Sequence, residues 1–190
     1  MKMRDITVLG ISMLALVLTS CGGGSSAPTA REIPALAFGS PAVSRTRVIP
    51  AHYKCDSRTN WLPLVWGAVP AGTHELVLYM VRFGTPHANA SGAVSAPIDA
   101  ESIVLGLKPT LHKLSLGKFP QGAKVAIHKA QGQPVSICPA KGVNQNLLFR
   151  LYALPQRLAT RSSLQKTNLV SVMSKEALEA GTFIASYRPA

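Results

Sequence analysis

The sequence predicts a mostly β fold with one helix near its C-terminal end, and three observations carry that prediction. The runs Glu75-Leu-Val-Leu-Tyr-Met-Val-Arg-Phe83 and Leu147-Leu-Phe-Arg-Leu-Tyr-Ala-Leu154 are apolar on both faces, with Arg150 the only charge in the second. Such runs are strands covered on two sides, so the second is placed mid-sheet. Elsewhere, 14 prolines and 15 glycines cut the chain into short segments bounded by turns. Only once does the apolar period become helical, at Leu169, Val172, Met173, Ala177 and Ala180.

Taken in order, residues 1–20 read as an export signal. Lys2 and Arg4 precede an apolar stretch from Ile6 to Leu18, which is shorter than the ~20 residues of a membrane span. The stretch ends in Leu18-Thr-Ser-Cys21 and runs into Gly22-Gly-Gly-Ser-Ser26, which resembles a bacterial lipoprotein signal. On that reading Cys21 is acylated and becomes the new N-terminus; the alternative is an ordinary secretory signal with an incidental cysteine. Acyl chains at about 0.8 kcal/mol per buried methylene would hold the protein on a membrane of the cell envelope. Residues 21–35 then form a flexible tether, and residues 36–190 form one domain. With Cys21 carrying lipid in an oxidising compartment, Cys55 and Cys138 remain as the one intramolecular disulfide option, against two free buried thiols.

Within the domain, Leu36–Val43 and Arg47–Tyr53 read as edge strands, because Pro41 and Pro50 would break a central one. Leu64–Trp66 is a short strand before the turn Val69-Pro-Ala-Gly-Thr73, and Glu75–Phe83 is a buried strand. Residues 84–97 read as a long loop. Strands are expected at Glu101–Leu107, Lys113–Leu116 and Val125–Lys129, followed by Leu147–Leu154. A helix from about Leu169, capped by Thr167 or Asn168 and stopped by Gly181, leads into a last strand, Thr182–Tyr187.

The net charge is +12. Export argues against nucleic acid as a partner, and the basic residues are scattered, as on a solvated surface; a tethered basic domain would also favour an anionic lipid surface. Catalysis has little to draw on. His52, His74, His87, His112 and His128 sit in no catalytic motif, no Gly-x-Ser-x-Gly elbow occurs, and no cluster has metal-ligand spacing. The sequence therefore implies no catalytic residue, no metal and no cofactor.

Several segments in order resemble the phosphatidylethanolamine-binding, or Raf kinase inhibitor-like, family in its bacterial branch. They are Ile49-Pro-Ala-His-Tyr-Lys-Cys-Asp56, Pro63-Leu-Val-Trp66, Val69-Pro-Ala-Gly-Thr-His-Glu-Leu-Val-Leu78, Cys138-Pro-Ala-Lys-Gly142 and Phe149-Arg-Leu-Tyr-Ala-Leu154. The resemblance spans roughly Phe38 to Arg188. It implies a large antiparallel sheet packed on a smaller sheet with a C-terminal helix, an anion pocket at one end, and a disulfide near it that agrees with the Cys55–Cys138 pairing.

The pocket residues themselves depart from the family. Its Asp-Pro-Asp-x-Pro motif aligns with Arg82-Phe-Gly-Thr-Pro86, so both carboxylates are gone and Pro86 alone survives. The family's His-Trp pair falls near Glu101-Ser-Ile103, and its His-Arg-Tyr near Gln145-Asn-Leu147. Asp56, Arg82, Pro86 and Gln145 are thus the candidate ligand-binding residues. Asp56 is expected either at the pocket rim or capping its own turn. Arg82 either gives the pocket a preference for carboxylate or phosphate or is an exposed strand-end arginine. The expected function is a lipid-anchored, non-catalytic binding or regulatory module of the envelope with an altered or lost anion pocket. The alternative is a protein-interaction or protease-inhibitor module there.

Overall fold

A computed structural model of the chain describes residues 32–50, 53, 62–84, 87–88, 94–95, 98–115, 119–127, 144–158 and 169–188. All of them lie in one compact unit, Arg31–Ala190. The export signal, Cys21, Cys55, Asp56, Pro86, Cys138 and the helix caps Thr167 and Asn168 lie outside the described residues. No helix among the described residues is long and apolar enough to cross a membrane.

The strands are β1 (Phe38–Gly39), β2 (Leu64–Trp66), β3 (Glu75–Phe83), β4 (His87–Ala88), β5 (Val94–Ser95), β6 (Ile98–Leu107), β7 (Lys113–Leu114), β8 (Lys124–Ile127), β9 (Gln145–Leu154) and β10 (Glu179–Tyr187). One helix, α1 (Leu169–Glu176), precedes β10. A five-stranded antiparallel sheet has the order β10-β9-β3-β6-β8, and a three-stranded sheet has the order β1-β2-β7.

The two-faced apolarity of β3 and β9 now has its reason. Leu76, Leu78 and Met80 of β3 and Leu147, Phe149 and Leu151 of β9 pack on one face against Leu64, Trp66 and Leu114 of the small sheet. Val77 of β3 and Tyr152 and Leu154 of β9 face the other way, against Leu169 and Met173 of α1. Each such side chain, taken fully from water, contributes about 1.5–3 kcal/mol. The expected layering of a large antiparallel sheet, a smaller sheet and a C-terminal helix is present.

Local details differ from the sequence reading, each for a physical reason. The edge segment Leu36–Val43 shrinks to β1, because Pro41 lies in a turn, and Arg47–Tyr53 shrinks to a bridge between Val48 and Ser186. Pro34 and Ala35 are already tied down: the Ala180 amide donates to the Pro34 carbonyl, and Ala35 bridges Ala180. The expected loop 84–97 carries the small β4–β5 pair. Gly181 does not stop the helix. α1 ends at Glu176, the Leu178 amide donates to the Ala153 carbonyl, and the chain passes directly into β10. Gly181 lies within that strand, where a Cβ would overlap that of Phe38 and sit 2.5 Å from the Leu36 carbonyl oxygen.

Candidate functional site

Arg82 and Gln145, the two candidate residues within the described part of the chain, are brought together. Arg82 is the penultimate residue of β3 and pairs with Leu147 of β9 and Ala100 of β6. Gln145 opens β9, two residues from Leu147 and therefore on the same face. Leu78, Met80, Leu147 and Phe149 fix that face as the inner one, turned toward the small sheet. Diagonal positions on adjacent antiparallel strands lie roughly 7–8 Å apart, within reach of a long side chain. Ser102 of β6, opposite Met80, takes the other diagonal and is fully buried.

An arginine, an amide and a hydroxyl thus share one end of the inner layer. Arg82 is half-buried, so the exposed strand-end reading does not hold, and Gln145 is buried. Behind them the core is aromatic. Phe149 and Phe183 stack at 4.8 Å between centroids, and Phe38 meets Phe183 edge-on at 5.2 Å. Trp66, read from the sequence as packing, joins the same cluster at 6.5 Å from Phe38. Rings packed in this way leave the polar end little room to collapse.

At the same end a groove of about 310 Å³ opens among Asn144, Gln145, Asn146, Ser186, Tyr187 and Arg188. Tyr187 is the β10 partner of Gln145, and the Ser186 hydroxyl donates to Asn146 Oδ1 at 2.8 Å. The Ile49 amide donates to the Ser186 carbonyl, which fastens Ile49 beside this end. The groove is polar and its charge is cationic. Its lining offers the Arg188 guanidinium with amide and hydroxyl donors, the set that binds a carboxylate or phosphate through charge-assisted hydrogen bonds, while Arg82 stands at the same end outside that lining.

The sequence did not single out Ser102, Asn146 or Ser186. Ser102 follows Glu101 and Asn146 follows Gln145 without any motif of their own, and only the pairing register gathers them. Of the other chemistry, His74 and His112 are exposed, and no group of three His, Cys, Asp or Glu among the described residues could hold a metal ion.

The model of the family described as phosphatidylethanolamine-binding protein matches residues 39–188. No curated protein sequence matches significantly. Among solved structures, a putative phosphatidylethanolamine-binding protein homologue from Chlamydia trachomatis superposes with a TM-score of 0.61 at 23% identity, over 82% of this chain and 99% of that one. YbcL of E. coli, described as a member of the mammalian family, superposes with a TM-score of 0.53 at 14% identity, again over 82% and 99%. At these identities the likeness concerns the fold.

Proposed function

Because this chain belongs to the phosphatidylethanolamine-binding protein family, we propose that it is a non-catalytic binding module whose pocket end has been rebuilt around a cation to take a small anionic ligand. The observation that supports this reading is the meeting of Arg82 and Gln145 on one inner face, at the end where the family resemblance puts its acidic and imidazole groups. Replacing two carboxylates by a guanidinium reverses the sign of the charge a ligand meets. A phosphate or a carboxylate head is then the complement, and that head is what Arg82 selects.

On the same reading the module is tethered by acylated Cys21 to a membrane of the bacterial envelope, and Cys55 and Cys138 form a disulfide. Cys21→Ser should move the protein out of the membrane fraction; unchanged fractionation removes the anchor.

Thermal-shift screening of the mature protein tests the ligand class. Glycerol phosphate, phosphoserine and citrate are compared with glycerol and ethanolamine. A specific anion at a hundredfold excess over its Kd should raise Tm by about 5–10 °C, and Arg82→Met should abolish the rise. Equal shifts with the neutral and cationic compounds, or a shift that survives Arg82→Met, would sink the proposal.

A further inference from the structure

Among the described residues, the outer face of the large sheet is covered only in part. α1 packs over Val77, Tyr152 and Leu154. Beside it runs a second groove of about 350 Å³, whose walls include Tyr79, Phe83, Ile98, Leu148, Arg150 and Val170. Ile98 there is 46% exposed. The groove lies on the face opposite Arg82: Tyr79 of β3 pairs with Arg150 of β9, and both alternate with the inner-facing Met80 and Phe149.

Arg150 is the odd member of this lining. Its guanidinium lies over the Tyr152 ring, 4.9 Å from the centroid. Its Nε is buried, and among the described residues nothing accepts its hydrogen. An acid on this face, Glu101, accepts a hydrogen bond from the Tyr79 hydroxyl at 2.5 Å. A cation held on a ring face in an apolar groove, with a buried N–H lacking an acceptor, is an imbalance that an anion corrects.

We propose that this outer groove is a second ligand site, separate from the Arg82 end, for a small amphiphilic carboxylate. The aryl or short alkyl body lies along Phe83, Ile98, Leu148 and Val170, and the carboxylate meets Arg150. The volume sits at the lower end of the range of small-molecule pockets, which suits one ring and a short chain and excludes a whole phospholipid. Charge complementarity selects a carboxylate over a neutral or cationic amphiphile, and the site stands whether or not the Arg82 end binds an anion.

Matched compounds test the proposal on the full-length protein by calorimetric titration: 4-phenylbutyrate, 4-phenylbutanol and 4-phenylbutylamine. The acid should bind at least about tenfold more tightly than the alcohol, and the amine least tightly. Arg150→Met, which keeps the apolar stem, should erase the advantage of the acid and leave the alcohol's affinity in place. Val170→Trp, a change on the surface of α1, should fill the groove and weaken the acid and the alcohol together. Arg82→Met should change neither affinity. Equal affinities for the three compounds, or no binding, would overturn the proposal. So would loss of the preference in Arg82→Met rather than Arg150→Met, which assigns the anion to the inner end. A dimer in sedimentation that Val170→Trp dissociates would give the face to a second copy of the chain instead.

Discussion

Glu75 opens β3 and is 1% exposed, a position where a carboxylate survives only if its oxygens are occupied. Gly106 donates its amide to Oε1 at 2.5 Å, and the Leu158 amide donates to Oε2. Gly106 adopts φ +80° where the β3–β6 register slips, and its amide turns inward to the acid. One side chain thus holds a bulge in β6 and the start of the segment after β9. Glu75→Ala takes the acceptor from one buried and one part-buried amide, and the loss should be about 2–5 kcal/mol by urea denaturation. A loss below about 1 kcal/mol would mean that water or neighbours replace the carboxylate. Tyr79 gives a pH signature at the same scale. Burial first, then its hydrogen bond to Glu101 and the charge of Glu101, push its phenol well above the ordinary tyrosine range. The folded protein holds that proton more tightly than the unfolded chain. Its contribution is whole below about pH 10, where an unfolded tyrosine titrates, and is lost as the pH rises beyond that. Urea midpoints between about pH 9 and pH 11 should therefore fall more steeply in the wild type than in Tyr79→Phe. Parallel slopes would contradict the assignment. Neither role was legible in the sequence, because a lone acid and a lone tyrosine in an apolar run carry no sign of the partners that folding brings.

At the scale of elements, β3 and β9 were legible because burial on both faces writes itself as an unbroken apolar run. The helix was legible from Leu169, Met173 and Ala177, which share one face and meet the sheet. Its end was misread at Gly181, since a glycine after a helical pattern looks like a stop signal until the neighbouring chain is known. The actual constraint is steric: β1 crosses β10 so closely that a Cβ at residue 181 has nowhere to go. Gly181→Ala should accordingly destabilise the protein by about 1–3 kcal/mol in thermal melts, by overpacking rather than by helix propensity. A neutral or stabilising result would show that Phe38 yields at no cost and that the glycine is incidental. The edge strands were overextended for a related reason. Prolines mark where pairing stops, whereas the few residues that do pair are chosen by contacts with β2 and β10.

At the scale of the molecule, the five-stranded sheet, the three-stranded sheet and α1 enclose, among the described residues, two apolar layers that share β3 and β9 as their common wall. The inner layer ends in a cationic, hydrogen-bonding groove, and the outer layer ends in an aromatic one with Arg150 on its side. The framework was legible through ordered segments such as Pro63-Leu-Val-Trp66, whereas the site was legible only as a pattern of departures. Arg82 and Gln145 could be named because a family motif should stand at each. Ser102 and Asn146 lie in such segments too, but they and Ser186 could not be chosen, since their common end depends on a register that a shift of one residue would turn to the other face. The claim on which the functional account rests is that Arg82 and Gln145 act together on an anion. Titration of the isotopically labelled protein with phosphoserine, followed by nuclear magnetic resonance, tests it most directly. The Arg82 Nε–H and the Gln145 side-chain amide signals should shift together and saturate with a single Kd, and signals of β8 should stay still. Shifts absent from both residues, or spread over exposed lysines without saturation, would contradict the account.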